Sequence, residues 1–401
     1  MIAPRLKTAL VKLTLFAAGL MISLLVVEGS ARVISQFGDE APITHKEYRG
    51  SRPAPYRDSP FFSQEFIDEQ FRQPTGWTTP PGTRLVIPGD FSGKFYNIVG
   101  GRRRTVWQPD SAPCRVLLFG GSTLYNTEVP DEFTVASLLQ RKFNERAATP
   151  CRVENYGTTS VTAAQQLELL KTVALLPGDT VIFYDGVNEI FQGIFFNHPE
   201  GWIVGENREA LDRVNPFVRF MIKSGKRYED HSAAIRLLMG RVFDPNLAGN
   251  IVHLSDPAQL EVAISRTATT YQISLRQTFE YLRSKNVPFL HFYQPNLMSR
   301  GELSPYERAL VANKSIVGSA QAVAFSSGSA PLRDAALSLN REGLRTVDLS
   351  MMFQVRKPDE EFFVDVCHVA DGGNERIAEA FFRELSTTPA IETAIAPDKA
   401  L

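Results

Sequence analysis

Arg115-Val116-Leu117-Leu118-Phe119-Gly120-Gly121-Ser122-Thr123 is the stretch on which the fold turns. A short apolar run rich in β-formers reads as a buried strand, and the two glycines after it permit a tight turn and a close backbone approach. Working outward, 116–119 is joined by four further strands at 153–156, 181–184, 289–293 and 346–349. Helical periods lie between them near 132–143, 163–176, 261–284 and 374–385. In the second of these Ala163, Leu167, Leu170 and Ala174 share one face, and Pro177-Gly178 marks its end. Strands alternating with helices predict an α/β fold, a three-layer sandwich around a five-stranded parallel sheet of flavodoxin-like type.

The N-terminal third reads differently. Residues 8–27 are apolar apart from Lys12 and a few small polar residues, and twenty helical residues span ~30 Å, about one bilayer core. Arg5, Lys7 and Lys12 precede the far-side Glu28, so the positive-inside rule leaves the N-terminus cytoplasmic and the rest of the chain outside. A cleaved signal peptide ending at Gly29-Ser30-Ala31 is the competing reading. The expected organisation is a stub and transmembrane signal-anchor over 1–31, then a membrane-proximal linker and small irregular, β-rich region over 32–112. A catalytic-type domain follows over 113–390 with an insertion at about 191–260, and a tail over 391–401. Arg102-Arg103-Arg104 reads as a solvated turn or as a contact to an anionic surface.

Composition narrows the function. The 401 residues carry 43 Lys plus Arg against 44 Asp plus Glu, a net charge of -1, so no cationic field draws the chain to nucleic acid. Three cysteines in no paired ligand spacing argue against a disulfide-built scaffold and against a metal.

Chemistry gathers at the strand ends, where open parallel sheets bind ligands. The first strand delivers Ser122, the second Gly157 and the third Asn188. Acyl transfer needs a nucleophile and donors aimed at the developing oxyanion, and the Ser122 N–H, a free Gly157 N–H and the Asn188 amide are the candidates. Near the C-terminus, Asp365 stands three residues before His368, a spacing at which the carboxylate can orient the imidazole as a general base. The bland alternatives are turns at Ser122 and Gly157, a helix cap at Asn188 and a loop histidine at His368. His45, His198, His231, His253 and His291 read as solvated or structural, and Asp185 as a turn former. Phe191, Phe195, Phe196 and Trp202 form either an aromatic wall at the site or core of the insertion. Phe191 and Gln294 are the candidate substrate contacts.

With those blocks in order, the chain resembles the SGNH (GDSL-type) hydrolase superfamily, in its membrane-anchored bacterial form. Gly120-Gly121-Ser122 matches the nucleophile block, Gly157 the second, Gly186-x-Asn188-Glu189 the third and Asp365-x-x-His368 the last, with Gly373-Asn374 and Ile377-Ala378 following the family's pattern. The match covers about 115–387. One position departs: Gly121 stands where the family's motif has Asp. The resemblance implies a catalytic triad of Ser122, His368 and Asp365, an oxyanion hole of Ser122, Gly157 and Asn188, and no cofactor. It implies an extracytoplasmic serine esterase or acyltransferase acting on O-acyl, foremost O-acetyl, groups of a polysaccharide. Partners are then an acylated carbohydrate or other ester, and the membrane through the N-terminal helix. A lipid esterase or thioesterase, and a non-catalytic carbohydrate-binding scaffold, stay open beside it. In this fold the first two strands are adjacent and parallel, and each opens with Cys-Arg-Val, so a Cys114 to Cys151 disulfide is expected in an oxidising compartment, with Cys367 free.

Overall fold

The computed structural model describes residues 52–70, 76–201, 254–312, 319–354 and 360–387, with a few isolated positions besides. By contacts the chain divides into a unit of 1–42 with 205–250 and a unit of 43–204 with 251–401. All that follows concerns the second. The expected anchor at 8–27 and the Gly29-Ser30-Ala31 site lie almost wholly outside the described residues, as do His45, Trp202, His231 and His253. Among the described residues no helix is long and apolar enough to cross a membrane.

Five strands form the central sheet: β1 (Cys114–Gly120), β2 (Cys151–Asn155), β3 (Asp179–Asp185), β4 (Phe289–Tyr293) and β5 (Arg345–Asp348). All neighbours are parallel, in the spatial order β5-β4-β3-β1-β2. That is the flavodoxin-like doubly wound order, whose topological switch point lies between the first and third strands. Every residue of β3 is buried, as a strand covered on both faces requires.

The pleat sorts side chains into two cores. Val116 and Leu118 of β1, Ile182 of β3 and Phe292 of β4 face one layer, packed by helices α1 (Val135–Arg146) and, at the C-terminal end, Asp371–Leu385. Leu117, Phe119, Val181 and Phe183 face the other, covered by α2 (Ala163–Lys171), α3 (Pro257–Ser284), α4 (Ser319–Ser338) and the wide-turn helix Glu189–Phe195. The C-terminal helix is α5 below. Cys114 pairs in register with Cys151, and a disulfide joins them across a Cα separation of 4.9 Å.

Several local expectations are corrected. The helix opening at Ala163 stops at Lys171 instead of reaching Pro177, because the Thr172 N–H and hydroxyl turn back to the Leu169 carbonyl and the chain leaves the helix there. The insertion is not separate at its start: 191–195 continue a buried helix, and α3 begins already at Pro257. The described part of 32–112 makes short antiparallel strands between Trp77 and Arg103, as expected of a small β-rich region. But 52–70 is helical at Ala54–Tyr56 and Gln64–Gln70 and does not run as a linker: Tyr56, Phe62, Phe66, Ile67 and Tyr96 form an apolar cluster that packs on Ala370 and Val364 beside His368. Arg102 reaches Glu154 of β2 at 2.7 Å and Gln108 bonds the Val153 carbonyl, so this region also covers the sheet's β2 edge.

Although Arg104 is exposed, Arg103 fits neither reading of the Arg102-Arg103-Arg104 run. It is only 1% exposed, and its guanidinium donates to Asp131 at 2.6 Å and to the Asn126 and Val129 carbonyls at 2.9 Å each, with the Tyr96 ring below. A buried charge is tolerable only with such partners.

Candidate active site

β1 ends at Gly120, where an added Cβ would come 2.7 Å from the Tyr184 carbonyl of β3, so only glycine lets the strands keep their spacing. The chain then turns directly into a four-residue helix, Ser122–Tyr125, closed by Asn126 in the left-handed region at φ 57°. Ser122 thus heads a helix, and its N–H has no acceptor within that turn. The Asn126 amide bonds the Thr123 carbonyl and Asn374 of α5, fixing the turn against the C-terminal helix.

His368 arrives from the loop before α5. The antiparallel bridge Phe363 to Val369 and the bond from Val364 N–H to the His368 carbonyl hold that loop as a narrow excursion. Within it Asp365 accepts the Cys367 and His368 backbone N–H groups at 2.8 Å each and the His368 Nδ1 hydrogen at 2.6 Å. The opposite ring nitrogen, Nε2, receives the Ser122 hydroxyl at 2.8 Å. The structure therefore brings Ser122, His368 and Asp365 into one continuous hydrogen-bonded line. Burial works against the imidazolium, but the Asp365 carboxylate, with Cys367 and Glu128, outweighs it and holds His368 well above its usual range. For Asp365 burial opposes the charge, and His368 with the two backbone donors still brings its carboxyl below its ordinary value.

Asn188 stands at the switch point beyond β3, 8% exposed, and its amide donates to the Val161 carbonyl at 2.8 Å. A side-chain amide carries two hydrogens, so one remains for an oxyanion. Beneath it Glu189 accepts the Ala163 N–H at 2.6 Å and the Gly186 N–H at 2.8 Å, tying the Asn188 turn to the start of α2. Burial, then Asp185, push the Glu189 carboxyl up to about 8.

Other expected roles change. The Gly157 N–H is not free: it donates to Asn155 Oδ1 at 2.8 Å, and Asn155 in turn bonds the Leu124 carbonyl of the nucleophile turn. It can serve an oxyanion only after releasing Asn155. Gln294 is 1% exposed and donates to the Thr123 hydroxyl at 3.2 Å, so it supports the nucleophile turn and offers no surface to a substrate. Phe191 stacks with Phe195 and packs edge-on to Phe196 against the core, the packing alternative for that aromatic group. Asp185 is no turn former but the buried last residue of β3, accepting from Tyr271 at 2.5 Å and His291 at 2.9 Å.

Cys367 is free and buried, its thiol pushed up to about 11 by burial. Asp365, Cys367 and His368 hold ligand-type atoms within 4.8 Å of one another, yet both ring nitrogens and both carboxylate oxygens are already spent in the triad line. That donor set fits proton transfer better than a cation.

One neighbour was not foreseen from sequence. Glu128, 8% exposed on the loop after the nucleophile turn, places Oε1 3.9 Å from His368 Nε2. Oε1 accepts the Thr127 hydroxyl at 2.6 Å, while Oε2 is buried without a hydrogen-bond partner. Nothing in Thr127-Glu128-Val129 marks this; only the loop's path reveals it.

No family model and no curated protein matches the chain. Among solved structures, it is similar to a member of the lipolytic G-D-S-L family from Veillonella parvula DSM 2008, at 10% identity and a TM-score of 0.38 over 68% of this chain and 99% of that one. It is similar to Axe2, an acetylxylan esterase from Geobacillus stearothermophilus, at 15% identity and a TM-score of 0.34 over 68% and 94%. It is also similar to a lipase/acylhydrolase from Enterococcus faecalis, at 14% identity and a TM-score of 0.34 over 72% and 100%. At such distances the chemistry has to be read from this chain's own side chains. On its own strand order, and with Ser122, Gly157, Asn188 and His368 all carried to one edge of that sheet, the chain has the SGNH hydrolase fold.

Proposed function

We propose that the chain is a serine esterase acting through an acyl-enzyme on Ser122. The observation that carries this reading is the unbroken line from Ser122 Oγ through His368 to Asp365. In the first half-reaction Ser122 Oγ attacks the ester carbonyl carbon while His368 Nε2 takes its proton. The carbonyl oxygen becomes an oxyanion facing the Ser122 N–H and the Asn188 amide, and Asp365 stabilises the imidazolium. Collapse breaks the carbon to alkoxy oxygen bond, and His368 returns the proton to the leaving alcohol. In the second half, water or another hydroxyl repeats the sequence from the other side.

The substrate in this proposal is a small O-acyl group, O-acetyl foremost, on a polysaccharide outside the cytoplasm. The polar neighbours of Ser122, Asn188 and the Glu128 carboxylate, suit an acyl group flanked by hydroxyls better than an alkyl chain. The Cys114–Cys151 disulfide and the apolar segment 8–27 support an oxidising, extracytoplasmic location with an N-terminal anchor. The test is fluorophosphonate labelling of the full chain in mild detergent. Labelling that disappears in Ser122→Ala is expected; a folded wild type that does not label would favour a binding or scaffold protein, and acetylated polysaccharide left intact by a labelled enzyme would move the substrate elsewhere.

A further inference from the structure

Burying a carboxylate is costly, and the Glu128 carboxylate is held beside the general base, with Oε1, the oxygen that accepts the Thr127 hydroxyl, turned toward His368 and a further lone pair on it still to fill. The Glu128 carbonyl accepts the Tyr56 hydroxyl at 2.9 Å, the Thr127 carbonyl accepts the Tyr96 hydroxyl at 2.5 Å, and Arg103 holds the carbonyls of Asn126 and Val129 on either side. Four successive carbonyls are fixed by side chains from 52–112, and the Thr127 hydroxyl then orients the carboxylate itself. All this brings a second acceptor 3.9 Å from the nitrogen that serves as base.

Two acceptors at that spacing match one particular donor. A water making two hydrogen bonds of ~2.8 Å at its near-tetrahedral angle spans acceptors ~4.4 Å apart, close to the observed separation. In the free enzyme Nε2 is occupied by the Ser122 hydroxyl; once Ser122 is acylated that hydrogen is gone and Nε2 faces the site unbonded. A sugar hydroxyl has one hydrogen to give and can bond only one of the two acceptors, whereas water can bond both.

We infer that Glu128, together with His368, binds the deacylating water and so directs the acyl-enzyme toward hydrolysis. The inference rests on the acyl-enzyme reading above and deepens it by naming the acceptor. Water donates one hydrogen to His368 Nε2 and the other to Glu128. Its oxygen bonds the acyl carbon as the first proton passes to Nε2. The tetrahedral intermediate then breaks its bond to Ser122 Oγ, which recovers that proton, and the second hydrogen leaves with the carboxylic acid.

The experiment compares the full-length wild type with Glu128→Gln and Glu128→Ala on 4-nitrophenyl acetate. For Glu128→Gln, turnover should fall at least ~10-fold while the rate of fluorophosphonate inactivation changes less than ~3-fold, since only deacylation needs the water. Acetylated Ser122 should accumulate by intact mass, added methanol should capture a larger share of the acetyl group than in wild type, and formate should restore part of the turnover of Glu128→Ala. Equal losses in inactivation and turnover would assign Glu128 a merely structural role and overturn the inference, as would unchanged deacylation and partitioning. A wild type that never acylates Ser122 would overturn the esterase reading itself, a result distinguishable by the missing adduct.

Discussion

Gly121 and Asn188 occupy touching volumes: a Cβ added to Gly121 would overlap the Asn188 side-chain nitrogen. The room that a side chain at 121 would need is taken by the amide facing the nucleophile.

Gly121→Ala should therefore behave as an Asn188 variant without touching Asn188. Displacing the amide removes one oxyanion donor, an effect of ~100-fold or more on kcat with little change in KM. Steady-state kinetics of Gly121→Ala, Asn188→Ala and the double variant check this. Independent, multiplying losses would contradict the shared cause; a double variant no worse than Asn188→Ala is expected.

The triad makes a graded prediction with a pH signature. Ser122→Ala and His368→Ala should abolish acetyl ester turnover, and Asp365→Asn should leave a measurable residue, since an orienting group contributes less than nucleophile or base. Catalysis needs neutral His368, and Asp365 holds its pKa above the usual 6.5, so kcat/KM of the wild type should rise with pH through a value above 6.5. Removing the Asp365 charge should move that limb to lower pH. A limb that stays in place in Asp365→Asn would separate Asp365 from His368 in solution. The linked stability has the opposite sense: a raised histidine pKa stabilises the fold at pH below 6.5 and loses that contribution as pH climbs through the folded value.

The disulfide is predicted to matter for stability and not for chemistry. It closes a separation of 37 residues at the amino edge of β1 and β2, opposite the edge that carries Ser122. In the chain-entropy model Cys114→Ser with Cys151→Ser should cost up to ~4 kcal/mol of unfolding free energy. Denaturant unfolding of the full chain measures it, and kcat at a temperature where both forms are folded should match. Peptide mapping without reductant should recover the crosslink with Cys367 alkylatable only after unfolding, given its burial.

The sheet was legible because its strands are short apolar runs ending in turn residues, and the triad because strand ends of a parallel sheet converge. Strand boundaries moved by at most two residues, as at β3, where Asp179 and Asp185 are polar but buried. Helix α4 escaped because its sequence, with Gly328 and Pro331, is a poor intrinsic helix; tertiary packing makes it, with Gly328 set directly against Ile194. The Gly157 N–H and Gln294 were misjudged because a sequence shows that a donor exists but not which acceptor takes it. Glu128 and Arg103 were invisible because their meaning comes from contacts between segments distant in sequence.

Arg103 supplies the last prediction, since it links the N-terminal region to the site. Its side chain is wholly buried, its ion pair with Asp131 is 2.6 Å, and it holds the carbonyls that flank Thr127 and Glu128. Arg103→Met keeps the volume but leaves Asp131 buried with only its Asn97 partners, a loss of the kind that costs ~3–5 kcal/mol. Arg103→Met with Asp131→Asn should recover much of that stability, because no uncompensated charge remains. Activity should not recover in parallel, for the Asn126 and Val129 carbonyls still lack their guanidinium and the Glu128 loop is no longer fixed. Thermal unfolding and acetyl ester turnover measured on the same three proteins decide it: stability restored with turnover still low is expected, and full recovery of both in the double variant would show that Arg103 serves the fold alone.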